Sequence, residues 1–309
     1  MSATPEATQG ASASAETPRE WERRVGRPVG AAAIAGAGIL LASFIIQLPL
    51  LQEKTKNEAG TLKSVHKHST AYVLGGVLQL VAVLLIGVVL WYLYRAAKHR
   101  REQTMPAALV LAIIGPIAFG IAGAISPFVL KHLAAEFVAL PPAQQVNDKA
   151  KDLVSGSAAQ ALGYVTPAAG LAFVFGIVLG NLNAIRAGLV SSFIGIVGII
   201  AAVLFILPLG PPQILMGFWL VAMGAVVLDR WPGGRGPAWA ADEPIKWPTA
   251  AERRIAARGG EPPPRRRGLF NPPPPPQQAE PEPEAEETPA QQSTSRTSKK
   301  RKRKQGRKH

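Results

Sequence analysis

The sequence predicts an all-α integral membrane protein, a bundle of six transmembrane helices with disordered cytoplasmic ends. Three observations carry that prediction. The apolar residues of the 309-residue chain are concentrated between Gly30 and Leu228, while both ends are polar. Within that region most apolar runs reach about 20 residues, the length a helix needs to cross a hydrocarbon core of about 30 Å. The runs lack the two-residue alternation of a barrel strand, and a bilayer admits only helices or closed barrels. Core helices of soluble proteins are amphipathic and about 11 residues long. These runs are apolar all round and mostly twice that length.

The elements follow in order. Ala31–Leu51 is the first span, with Ser43 and Gln47 its polar residues. It starts too late and runs too long for the apolar core of a cleaved signal peptide. Ala71–Tyr94 is the second and holds Gln79, with Trp91, Tyr92 and Tyr94 at one end. Ala107–Leu130 is the third, interrupted by Pro116 and Pro127. Ala158–Gly180 is the fourth, with Gln160 and Thr166-Pro167 in its first half. Ala187–Leu228 is charge-free and about twice the length of one span. Pro208-Leu209-Gly210-Pro211-Pro212 cuts it, because prolines remove amide donors and clash with the preceding turn. Two spans result, Ala187–Pro208 and Gln213–Leu228. Gly176 and Gly180 form a small-xxx-small pattern that lets helix backbones approach.

Six spans put both termini on one side. Arginine and lysine near the membrane number about 12 on that side and about 7 on the other, which assigns both termini to the cytoplasm. Residues 1–29 have no apolar period and read as a disordered arm. Segment 132–156 reads as a lid, an interfacial helix or an outward extension of the fourth span. Residues 231–309 read as a tail in parts. Trp231, Trp239 and Trp247 recur every eight residues, which suits the headgroup level. Thr249–Arg258 has the pattern of one short basic helix, and Pro272–Pro276 opens a polyproline spacer. The chain ends in a cationic cluster of Lys299, Lys300, Arg301, Lys302, Arg303, Lys304, Arg307 and Lys308. That cluster lacks interleaved aromatics, so it fits an anionic lipid surface first and nucleic acid second.

The chemistry available at depth is sparse. The chain has no cysteine, which excludes disulfides, thiolate metal sites and a cysteine nucleophile. The expected spans hold no Asp, Glu, Lys, Arg or His, whereas transporters and intramembrane enzymes place ionisable residues at depth. His66 and His68 supply two ligands where a metal site needs three or four. No catalytic, cofactor or metal residue is therefore assigned. Gln47, Gln79, Asn181 and Asn183 are the candidate intramembrane polar contacts, with Gln47 and Gln79 placed to meet across the first two helices.

The Ala/Gly/Val-rich spans, Trp231-Pro232-Gly233-Gly234, Lys246-Trp247-Pro248 and the basic terminus resemble uncharacterised multi-pass membrane proteins of high-GC actinobacteria. The resemblance is one of composition. It implies a bacterial plasma membrane and transfers no functional residue. The functional expectation is a non-enzymatic membrane scaffold or sensor with a polybasic cytoplasmic tail. The alternative is a permease for a small neutral or lipid-like solute, since prolines interrupt four of the spans as broken helices do in transporters.

Overall fold

The structure, a computed structural model, describes residues 16–53, 57–155, 157–206, 212–232, 234–248 and five positions between 252 and 259. Residues 1–15, the Pro208–Pro211 break, most of the basic helix expected over Thr249–Arg258, the proline run and the terminal cationic cluster lie outside the described residues. The chain divides into two units, Met1–Arg254 and Ile255–His309. Of the second, the described residues form a turn in which the Arg258 amide donates to the Ile255 carbonyl at 3.0 Å.

The regular structure of the first unit is helical, and its described residues contain no strand. Its helices are α1 (Pro18–Gln52), α2 (Glu58–Lys67), α3 (Ser69–Arg100), α4 (Pro106–Ala139), α5 (Asn147–Val154), α6 (Ala158–Arg186), α7 (Ser192–Ile206) and α8 (Pro212–Val227). Four are long and apolar enough to cross a membrane, namely Pro18–Leu50, Ser69–Arg100, Pro106–Ala139 and Ala158–Arg186. The last two are apolar but shorter. Four helices of spanning length thus stand where six spans were expected.

Several boundaries differ from the expectation. Residues 18–29, expected to be disordered, form the first turns of α1. Thr17 accepts from the Glu20 amide at 3.4 Å while Glu20 accepts from the Thr17 amide at 2.9 Å, and Pro18 occupies the first helical position. The span expected from Ala187 begins instead at Ser192, because Gly188 turns the chain with φ +74°. Segment 132–156 is not an extension of the fourth span. Residues 132–139 continue α4, Pro141 and Pro142 end it, and α5 is a separate helix. Ser157 then caps α6 by accepting from the Ala159 amide at 3.2 Å.

The long helices and the α7–α8 pair close into a ring in the order α1, α3, α4, α6, α7, α8, with α8 returning to α1. α3 also touches α6 across the ring. Bundles in lipid rely on close packing, because lipid is as apolar as the helices. Small residues provide it here. A Cβ on Gly76 would lie 2.6 Å from Pro127, and one on Gly87 would lie 3.0 Å from Pro116. The two α4 prolines therefore seat on the two α3 glycines. Gly176 lies against the Leu111 carbonyl of α4, so the small-xxx-small pattern packs within the chain.

Outward faces are apolar too. Leu74, Val77, Val81, Leu84 and Val88 are exposed along α3, and Ile114, Ile117, Ile121, Ile125 and Phe128 along α4. Exposed apolar stripes of that extent face lipid, not water. The chain is a membrane protein.

A second, smaller core sits beyond one end of the ring. Leu62 and Val65 of α2, Leu133, Ala134 and Phe137 of α4, and Ala150 of α5 bury one another. Asn147 links the two connecting segments, its side-chain oxygen accepting from the Glu58 amide at 3.0 Å. At the end of α1, Glu53 takes a hydrogen bond from Lys67 and lies 3.1 Å from His68 Nε2. These partners hold its carboxyl down at about 2.

Two tests follow from this packing. A Cβ on Gly115 would lie 2.7 Å from the Phe173 backbone, whereas one on Gly38 meets nothing within 4 Å. Gly115→Ala should destabilise the detergent-solubilised protein by about 1–3 kcal/mol, seen as a lower Tm. Gly38→Ala should leave Tm equal or slightly raised. Glu53, with a lowered folded pKa, contributes stability above the ordinary carboxylate range and loses it as pH falls through about 2. Melts of wild type and Glu53→Gln should differ at neutral pH and converge near that value.

Candidate functional site

A buried polar cluster lies at the ring end opposite the α2–α5 core. There α1 begins, α3 and α6 end, and α8 returns the chain. α6 closes with the Leu189 amide donating to the Ala184 carbonyl at 2.9 Å and the Gly188 amide to Ile185 at 3.0 Å. This is the two-bond terminus that calls for a left-handed residue, and Gly188 supplies it. The carbonyls of Gly188 and Leu189 remain free to accept. Trp247 donates its indole N–H to Gly188 at 2.8 Å, and Trp239 donates to Leu189 at 2.8 Å.

Residues 234–248, expected to belong to the tail, are thereby strapped across the ring end. Under the strap lies a buried ion pair. Arg100 of α3 donates to both carboxylate oxygens of Glu22 in α1, at 2.5 and 2.9 Å. The two side chains are 0% and 4% exposed. Arg100 also donates to the Ala238 carbonyl of the strap at 2.7 Å and to Ala96 at 2.9 Å. Tyr92 donates its hydroxyl to the Glu22 carbonyl at 3.1 Å. Burying two charges costs several kcal/mol per ion, which the bidentate contact and the further Arg100 bonds to Ala238 and Ala96 offset.

Aromatic rings surround the pair. Trp21 stacks on Tyr92 at 5.5 Å, and Tyr92 stacks on Trp239 at 6.0 Å. Arg95 lies 4.5 Å from the Trp21 ring, and Arg235 lies 4.9 Å from that of Trp239. At the rim, Asp242 of the strap accepts from Arg19 at 2.8 and 2.7 Å, with His99 Nε2 at 3.2 Å. The Arg19 guanidinium first, then His99, holds the Asp242 carboxyl below its ordinary range. The charged and aromatic side chains described at this end are thus engaged with one another. Among the described residues no cluster of His, Asp or Glu could hold a metal.

Residues 29–224 match the model of DUF4386, a domain of unknown function. The chain belongs to the DUF4386 family. No curated protein and no solved structure matches it. The DUF4386 region covers the ring and stops before the strap. Trp21, Glu22, Trp239 and Trp247 therefore lie outside it.

The residues singled out from the sequence land as follows. No hydrogen bond joins Gln47 to Gln79 among the described residues. Gln47 donates to the Ser43 carbonyl at 3.2 Å and packs on Gly75, while Gln79 lies near Gly123 of α4. Ser43 donates to the Gly75 carbonyl at 2.8 Å. Asn181 is fully buried, donating to Ile177 at 2.9 Å and accepting from the Trp219 indole at 3.1 Å. It joins α6 to α8 beneath Gly198 of α7. Asn183 contributes its carbonyl to the end of α6. The eight cations from Lys299 to Lys308 lie outside the described residues. Glu22, Tyr92 and Arg100 were not anticipated. The spacing of Trp21, Val25 and Val29 and the Thr17/Glu20 capping box were the local signals.

Removing one partner of the buried pair leaves a desolvated charge. Glu22→Ala should cost about 3–5 kcal/mol of stability, read as a lower Tm and faster proteolysis within residues 231–248. Replacing both Glu22 and Arg100 by Met should recover a large part of that loss.

Proposed function

We propose that this DUF4386 protein is a non-enzymatic membrane scaffold or sensor. In this reading it crosses a bacterial plasma membrane six times, with both termini in the cytoplasm. The observation that carries the reading is the filled interior of the ring. Leu40, Val83, Ile86, Phe173, Ile177, Met216 and Leu220 form one apolar core where the helices meet. Ser43 and Asn181 beside it join neighbouring helices, which supports a structural role for the domain. The strapped end carries the larger share of arginine and lysine, which supports its cytoplasmic assignment. α7 and α8 count as spans on the strength of their apolar composition and their places in the ring. The polybasic tail supplies the contact with anionic headgroups, and nucleic acid is its second candidate partner.

One observation favours the permease reading. Thr166 Oγ1 and Gln213 Oε1 are buried with no hydrogen-bond partner among the described residues. Buried polar atoms in that state suit a site that a small neutral solute completes. A solute-dependent rise in Tm of the purified protein would favour this second reading.

A reporter active only in the cytoplasm, fused after His309, should be active; a full-length inserted fusion lacking activity overturns the orientation. A peptide of residues 293–309 should bind vesicles containing phosphatidylglycerol, and the binding should weaken with salt. Equal binding to neutral vesicles overturns the role given to the tail.

A further inference from the structure

A cleft of about 630 Å³ opens between the first turns of α1 and the end of α8. Glu20, Arg23, Arg24 and Arg27 line it from α1, at the i, i+3, i+4, i+7 spacing of one helix face. Arg235 of the strap lines the opposite side, beside Asp229. Four guanidinium groups therefore share one cleft with two carboxylates.

Those carboxylates already have partners. Glu20 accepts from the Thr17 amide at 2.9 Å. Asp229 takes φ +59° at the end of α8 and accepts from the Arg235 amide at 2.9 Å. Arg24 pairs with Glu16 at 2.6 Å. Arg235 donates to the Val226 and Val227 carbonyls, closing the α8 terminus. Arg23 and Arg27 form no ion pair among the described residues. Like charges one helical turn apart repel, so this arrangement favours an anion between them. Guanidinium forks match the geometry of phosphate bidentately, as they do that of carboxylate.

The depth of the cleft identifies the phosphate's source. Arg27 is the last charged residue before the apolar run of α1, and Asp229 is the first after that of α8. Gly30 and Leu228 touch just below them. The cleft thus lies where a charge-free helix pair meets the polar zone, the level of lipid headgroups. Beneath it, Ile34 and Val221 are exposed and apolar, a surface on which acyl chains can lie.

We propose that this cleft binds the phosphate headgroup of an anionic phospholipid, through Arg23 and Arg27, with Arg24 and Arg235 at its flanks. It is a second anionic-lipid site, formed by folded helices and separate from the polybasic tail. It rests on the membrane reading above.

The test is native mass spectrometry of the full-length chain in detergent, with phosphatidylglycerol or phosphatidylcholine added at equal concentration. The wild type should retain phosphatidylglycerol preferentially. Arg23→Gln with Arg27→Gln should lower that retention by about thirtyfold. Arg23→Lys with Arg27→Lys keeps the charge and should retain most of it. Replacing the eight tail cations by Gln in the full-length chain should leave the loss caused by the double Gln change in place. Unchanged retention in the double Gln variant overturns the proposal, as does disappearance of that loss once the tail cations are replaced. Displacement of the lipid by millimolar inorganic phosphate assigns the cleft to a soluble phosphate and overturns the lipid identity. A chain that stays monodisperse without detergent fails the membrane reading itself, a result separable from all of these.

Discussion

Lipid offers a peptide group no hydrogen-bond partner, and the first unit is organised by that fact. Each long segment satisfies its own amides as a helix, which leaves packing as the means of holding helices together. Packing requires short distances, and short distances require small residues at the contact. The α3–α4 seam illustrates the result. Pro116 and Pro127 would weaken a lone helix, each by removing one amide donor. Here their rings occupy the space left by Gly87 and Gly76, so the residues that weaken α4 also fix its register on α3. The buried polar residues obey the same rule. Ser43 bonds to the Gly75 carbonyl of the neighbouring helix, and Asn181 bonds both within its helix and to Trp219.

The helix ends pose the complementary problem, since their last carbonyls have no partner within the helix. Two devices solve it at the strapped end. α6 and α8 close with the same pair of backbone bonds, one through Gly188 and the other through Asp229. Asp229 bears the cost of left-handed backbone, and its carboxylate orders the strap by accepting from the Arg235 amide. The strap returns two kinds of donor to the ring, two indoles and one guanidinium, and one acceptor, the Ala238 carbonyl that takes a bond from Arg100. A segment rich in proline and glycine is thereby held with little regular structure of its own beyond the short 3-10 helix Pro237–Ala240.

Hydropathy made the membrane segments legible, because mean composition over about 20 residues decides that question. It could not phase them. A helix that is apolar all round has no polar face to show which side turns inward. That is why Gln47 and Gln79 were expected to meet, whereas they lie near Gly75 and Gly123 with no hydrogen bond joining them among the described residues. The helical start at Pro18 was written in the Thr17/Glu20 box, but the Ala/Ser/Thr composition around it pointed to a disordered arm. α5 is eight residues long and too short to be stable alone. It exists because Ala150 is buried beside α2 and α4, a contact reaching far along the chain. The Glu22–Arg100 pair joins residues 78 positions apart, and nothing local announces it. Tryptophan spacing in the strap was visible, yet spacing alone could not show that the indoles donate to a helix terminus.

The shortness of α7 and α8 has a local cause at the strapped end. At 1.5 Å per residue, helices of 15 and 16 residues rise about 23 Å, less than a typical hydrocarbon core. α7 could have started sooner, since its apolar run begins at Ala187. The glycine turn after α6 diverts Ala187, Leu189 and Val190 into a buried loop instead. Trp239 and Ala238 cover that loop and are themselves buried. The strap therefore occupies the volume that another turn of α7 would have filled. It does so with side chains whose N–H groups answer the exposed carbonyls of Gly188 and Leu189. Shortening the helix and strapping its end are one arrangement, because each would leave unsatisfied backbone or exposed apolar surface without the other.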